Sequence, residues 1–262
     1  PARCETEVDL TSAEKRSRGS LDLFRLVYRS AATLHTLYLR DDYPWLKAGD
    51  LQALKNLSAL AHLQIRLPSD FQREHLPDVC QPGLVSLYIQ DSRKRPDNIM
   101  YDTQMPSAPF NACLRLQTLG ITVGGHWLSE EFFDAPLAVP ILRLRIGGCA
   151  GIPGSDGNLP ISLHFPSVEH LMFKIDKMWG SIAFSPRDNL RTCHLDLGHC
   201  SLDEDLMEAM YTTLAACSQL AYVSLDCTSC DVFALKRLGE HEWEPTLGSL
   251  TALPNLWYCQ VP

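Results

Sequence analysis

The sequence predicts an α/β solenoid, a curved horseshoe of strand-plus-helix units with about nine parallel strands on its concave face and helices and irregular turns outside. Three observations predict it. An apolar pattern, L-x-x-L-x-L, recurs along nearly the whole 262-residue chain. Its starts lie 22 to 36 residues apart, about 28 on average, which is the spacing of one supersecondary unit per repeat. The segments between copies carry either helix signals or clusters of turn residues.

The copies run Leu34–Leu37–Leu39, Leu60–Leu63–Ile65, Leu84–Leu87–Ile89, Leu116–Leu119–Ile121 and Ile141–Leu144–Ile146. They continue as Val168–Leu171–Phe173, Leu190–Cys193–Leu195, Leu220–Val223–Leu225 and Leu256–Cys259–Val261. The last two apolar positions of each copy are two residues apart, so both point to one face of a short strand, and the first anchors the turn into it. One unit cannot bury that face alone. Stacking the units joins the strands into a parallel sheet and closes a continuous core, and a period in the twenties with this signature is the leucine-rich-repeat pattern.

Between strands, Ser201–Ala216 reads as a helix. Ser201 is its N-cap, Asp203, Glu204 and Asp205 favour its positive end, and Leu206, Met210 and Leu214 form one apolar stripe. Asp50–Leu60 reads similarly, with Leu51, Leu54, Leu57 and Leu60 on one side. Arg93–Ala112 and Gly147–Leu159 lack periodicity and read as loops, the first bringing Met100, Tyr101 and Met105 over one edge. Residues 1–33 precede the first copy; Leu21, Phe24, Val27 and Tyr28 at helical spacing make them an N-terminal helical cap or a degenerate repeat. Residues 34–262 form the repeat domain. A start at Pro1 and a stop at Pro262 just after an apolar stretch read as part of a longer protein.

Composition narrows the function classes. Net charge is −8, from 23 basic and 31 acidic side chains, which argues against a general nucleic-acid or anionic-membrane binder. No apolar run approaches the ~20 residues that span a bilayer, and no signal peptide is visible. The ten cysteines are too sparse for a small disulfide-stapled module. Several fall where a small apolar side chain is wanted, so they read as reduced core thiols of a cytoplasmic or nuclear protein.

Asn189–Met210 (NLRTCHLDLGHCSLDEDLMEAM) and Cys217–Cys227 (CSQLAYVSLDC) resemble the cysteine-containing, ribonuclease-inhibitor-like repeats of F-box substrate receptors. In that family a Cys commonly stands three positions before the first Leu, as Cys113 and Cys217 do, and a second follows the strand, as Cys149 does. Cys200 and Cys230 fall two residues later. No F-box is recognisable in residues 1–33. The resemblance implies that the solenoid selects a substrate while a segment elsewhere binds the ubiquitin-ligase core. Intracellular immune receptors carry irregular repeats of similar length, and their ligand-sensing region is the alternative.

Side chains alternating with the core Leu positions face the concave surface. Among them Tyr38, Arg40, Arg66, Tyr88, Arg143, Arg145, Lys174 and His194 are the expected partner-binding residues, because Arg and Tyr are enriched at binding hot spots. The basic members are expected to take an acidic or phosphorylated peptide through bidentate contacts. The bland alternative is that exposed strand positions are simply solvated.

Signals for chemistry are weaker. Cys227-x-x-Cys230 is a lone pair at zinc-ligand spacing; with His199 and Cys200 it offers a zinc site on paper, but edge thiols are the better account. His170, His194, Asp196 and Ser224 could be drawn as a hydrolytic cluster, yet any nine-strand polar face supplies such a coincidence. The expectation is therefore a protein-recognition module, not an enzyme, with no catalytic residue, metal or cofactor.

Overall fold

The computed structural model describes residues 7–9, 29, 31–40, 46–91, 107–123, 137–150, 161–164, 167–177, 182–185, 189–196, 212–226, 255 and 258–260. Its centre is one open parallel sheet of ten strands. In chain order these are β1 (Glu7–Asp9), β2 (Thr36–Leu39), β3 (His62–Arg66), β4 (Ser86–Asp91), β5 (Thr118–Val123) and β6 (Arg143–Ala150). After β7 (Ile161–His164) come β8 (His170–Lys177), β9 (Ile182–Ser185), β10 (Thr192–Asp196), β11 (Tyr222–Asp226) and β12 (Tyr258–Gln260). Strands follow one another in the sheet in chain order, except that β7 and β9 leave it to form a separate parallel pair. Every connection thus returns the chain to the same end of the sheet, which is a solenoid-like arrangement.

Eight of the nine apolar patterns each land on one strand, Cys259 of the ninth stands on β12, and the copies are aligned without slip. Leu37 pairs with Leu63, Leu63 with Leu87, Leu87 with Leu119 and Leu119 with Leu144; Leu144 pairs with Leu171, Leu171 with Cys193, and Cys193 with Val223. These side chains and the Ile, Leu and Phe residues two positions on are at most 5% exposed. Each fully buried side chain of this size is worth roughly 1.5–3 kcal/mol over leaving it in water.

A backbone device repeats at each step from β2 to β11. The carbonyl of His35 accepts the N–H groups of both Ala61 and His62, and the same forked contact recurs through Ala61, Val85, Gln117, Leu142, Glu169 and Arg191. The turn before the strand is fixed as well. The N–H of the first Leu donates to the carbonyl three residues earlier at Leu60, Leu84, Leu116 and Leu220. That explains the Cys three positions before Leu116 and Leu220: Cys113 and Cys217 sit where the tight turn faces the core, and both are fully buried. Cys80, Cys113, Cys193 and Cys217 are all free thiols.

Several expectations need correction in the returning segments. Asp50–Leu60 is expected as a helix; it is a 3₁₀ segment, Ala48–Asn56, that ends before Leu57. The reason is in the spacing: Leu51, Leu54, Leu57 and Leu60 recur every three residues, the period of a 3₁₀ turn, and all are buried. Asp50 accepts the Lys47 N–H at 2.9 Å and Asp70 accepts the Ala48 N–H at 3.1 Å, satisfying the free donors at its start. Its Lys55 pairs with Asp78 of the short helix Leu76–Val79, 2.5 Å away, joining neighbouring returns.

The loop expected over Arg93–Ala112 closes in a 3₁₀ turn, Ala108–Ala112, which Pro109 pre-shapes and Phe110 anchors in the core. The loop expected from Gly147 starts later, because β6 continues to Ala150. Gly147 pairs with Thr122 of β5, and beyond Ile146 the pairing with β8 shifts register, as glycines in a strand permit. Two returns are strands, β7 and β9, where helices or irregular turns were expected. The first 33 residues contribute β1, paired in the same parallel register with β2. Of the Ser201–Ala216 helix, Thr212–Ala215 is helical, Leu214 is buried and Ala216 already turns, while residues 201–211 lie outside the described residues. Met100, Tyr101, Met105, the capping stripe Leu21–Tyr28 and the Cys227/Cys230/His199/Cys200 group also lie outside them.

Candidate functional site

With one face of the sheet buried, the alternate side chains form rows on the other. The first row includes Thr118, Arg143, His170, Thr192 and Tyr222, one from each of five successive strands. The second, two residues further along each strand, includes Tyr88, Gly120, Arg145, Met172, His194 and Ser224. Between them lies a trough of about 190 Å³ reaching from Tyr88 on β4 to Tyr222 on β11. At 4.7–4.9 Å per strand this is roughly 24 Å of sheet.

Of the residues expected from the sequence, Tyr88, Arg143, Arg145 and His194 line this trough. Tyr38, Arg40, Arg66 and Lys174 do not. Arg40 lies over the Tyr38 ring at 4.1 Å, a cation–π contact within one strand end. Arg66 is half-buried at the end of β3. Lys174 pairs with Asp196 on the next strand at 2.5 Å, in a third row beyond the trough. The expected basic stripe therefore resolves into cations with partners at the flanks and the Arg143–Arg145 pair at the centre.

Both central arginines are exposed, and among the described residues neither side chain has a hydrogen bond or ion pair. Among the described residues no carboxylate lines the trough. Glu169, at the rim, faces Arg191 at 3.5 Å, and Asp196 faces Lys174. His170 shares a 2.9 Å hydrogen bond with the hydroxyl of its cross-strand neighbour Thr192. Two arginines, two histidines and two threonines thus present polar groups, with Met172 among them, over the strands at Leu119, Leu144 and Leu171.

His170, Met172, Thr192 and Tyr222 belong to this site although the expected set omits them. Their signal was the row: in-register neighbours of Arg143 and Arg145 must share their surface. Gly120 was less visible. A Cβ there would stand 2.1 Å from Cδ1 of Tyr88, so the ring lies across β5 in space that only glycine leaves open. That seat turns Tyr88 into the wall of the trough on the Arg145 side.

The hydrolytic drawing finds its members elsewhere engaged: His170 with Thr192, Asp196 with Lys174, and Ser224 only 5% exposed. Among the described residues no group of His, Cys, Asp and Glu is arranged to hold a metal ion, and no helix is long and apolar enough to cross a membrane. No protein-family model matches the chain, and no curated protein matches it.

Proposed function

We propose that this chain is a leucine-rich-repeat recognition module that holds an acidic segment of a partner protein across its concave face, as the substrate-binding part of an F-box-type ubiquitin-ligase receptor. The observation that carries the binding reading is the trough. In a chain of net charge −8, this hollow is lined, among the described residues, by two arginines and two histidines and by no acid. A cationic hollow on an acidic molecule attracts anionic partners locally while the rest of the surface repels them. The ligase reading rests on the cysteine-bearing repeats, whose Cys113 and Cys217 occupy equivalent buried turns.

Charge reversal at both central arginines (Arg143→Glu with Arg145→Glu) tests the binding reading. Against degenerate peptide pools rich in Asp and Glu or rich in Lys, the native chain should prefer the acidic pool. The double variant should lose that preference by about a hundredfold, equivalent to ~2.8 kcal/mol. Undiminished acidic binding would sink the reading. Sequencing the transcript upstream of Pro1 tests the cellular role. A Leu/Pro-rich three-helix segment supports the ligase receptor, and a phosphate loop would reassign the chain to an immune-type receptor.

A further inference from the structure

We propose that Cys80 and Cys113 form a redox-modification site, at which a peroxide joins the two thiols into a disulfide between neighbouring returns. Each residue directly follows a return segment: Cys80 ends the short helix Leu76–Val79, and Cys113 ends the 3₁₀ turn Ala108–Ala112. The two segments pack together and lead into β4 and β5. Those strands pair in register, Leu87 beside Leu119, so the turns entering them lie about one strand spacing apart, ~4.8 Å. A disulfide needs Cα atoms roughly 4.4–6.8 Å apart, which neighbouring turns of such a stack supply. The Cys80 thiol is hydrogen-bonded to the Cys113 sulfur, and neither residue is more than 4% exposed.

The two sulfurs differ in environment. The hydrogen bond from Cys80 pulls the Cys113 thiol below its ordinary value against the opposing effect of burial, and the Gln81 N–H adds to the pull. Cys80, which gives that hydrogen bond and is enclosed, is pushed well up. Cys113 is therefore the nucleophile and Cys80 the resolving thiol. The Cys113 sulfur attacks one peroxide oxygen, the O–O bond breaks, and the departing hydroxide leaves as water with the proton that the thiol gave up. The Cys80 sulfur then attacks Cys113, the S–O bond breaks, and the Cys80 proton leaves in a second water. The two thiols are oxidised by the two electrons that the peroxide gains. A second observation points to the same turn. The first Leu of a repeat donates to the carbonyl of Leu57, Gln81, Cys113 or Cys217, so these four residues hold equivalent places. Gln81 is the amide among them, only 8% exposed, and its Nε2 has no hydrogen-bond partner among the described residues. It is a donor in reserve for the oxygen that the first step adds to Cys113. The other buried neighbours lack this arrangement: burial holds the Cys193 thiol far up, and the Cys217 thiol donates to the Thr213 carbonyl.

The test treats the full chain with hydrogen peroxide under native conditions, alkylates the remaining thiols and maps linked peptides by mass spectrometry. The Cys80–Cys113 link should form about tenfold or more faster than any link through Cys193 or Cys217, since each pH unit of thiol acidity is tenfold in thiolate. A dithiol reductant should reverse it. In Cys80→Ser, Cys113 should stop at the sulfenic acid and be captured by dimedone. Adding Gln81→Leu should cut that capture severalfold; undiminished capture would remove Gln81 from the site. A pair that stays reduced in peroxide, or a link that forms only in denaturing urea, would overturn the proposal. So would disulfides joining Cys80 or Cys113 chiefly to other cysteines.

Discussion

The two faces of the ten-stranded sheet are built by opposite rules. On the buried face each repeat supplies the same kind of side chain at the same register, and Leu37, Leu63, Leu87, Leu119 and Leu144 stand in one unbroken line with no more than 1% exposure. On the open face the equivalent row runs through His62, Ser86, Thr118, Arg143, His170, Thr192 and Tyr222, with no two neighbours alike. Stability is held by the repeated face and identity by the varied one. A parallel stack permits this division because successive side chains of a strand point to opposite sides.

The sharpest way to break that comparison is to truncate adjacent residues of one strand. Leu119→Ala on β5 removes a fully buried side chain between two leucines and should cost about 2–5 kcal/mol in urea unfolding. Thr118→Ala, its neighbour on the open face, should stay within about 0.5 kcal/mol. Similar costs for the two would mean that the open face is also structural.

Next in size is an alkaline effect confined to the buried face. Burial, reinforced by the nearby Cys217, pushes the Cys193 thiol far above its ordinary value of 9.0. Below that value the thiol is protonated whether the chain is folded or not, and the group adds no pH dependence. Above it the unfolded chain releases the proton while the folded chain retains it, so stability falls as pH rises. The slope is about 1.4 kcal/mol per pH unit for one such thiol. Unfolding curves of Cys193→Ala across that window should be flatter than the native chain's, whatever the variant's absolute stability. Parallel curves would place the thiol in contact with water.

Periodicity made the buried face legible. Nine apolar patterns gave nine strands and their register, because a slip of one residue would have turned every leucine outward. The returns were less legible for a physical reason. The sheet demands only that each one cover the core and come back, and a 3₁₀ segment, a short helix and the β7–β9 pair all satisfy that demand. On the open face the sequence placed the charges but not their partners. Lys174 meets Asp196, and Tyr88 meets Gly120, only through residues 22 and 32 positions away. Such pairings follow from register and side-chain lean together. A count of arginines and lysines therefore does not separate the paired cations of the flanks from the Arg143–Arg145 pair.

The seat of Tyr88 gives a smaller effect that should appear in binding rather than folding. In Gly120→Ala the new methyl displaces the ring, at roughly 0.5–1.5 kcal/mol if the ring leaves its rotamer. Alanine in a strand recovers about 0.5–1 kcal/mol relative to glycine, so net stability should hardly move. With the wall gone, affinity for an acidic peptide pool should fall severalfold. Unchanged affinity with lowered stability would make the ring a packing element of the sheet.

The smallest effect concerns the flank. Lys174 and Asp196 pair across β8 and β10 with side chains 51% and 20% exposed, where water and salt screen most of the attraction. A double-mutant cycle through Lys174→Ala and Asp196→Ala should give a coupling of about 0.2–1 kcal/mol that shrinks with added salt. The binding readout separates this pair from the centre. Lys174→Ala removes a cation already compensated by Asp196, so acidic peptides should bind nearly as well as before. Removing Asp196 alone takes one acid away from beside the trough and should tighten that binding slightly. If Lys174→Ala weakened binding as much as loss of Arg145, the division between paired flank and open centre would fail, and the whole face would act as one diffuse positive field.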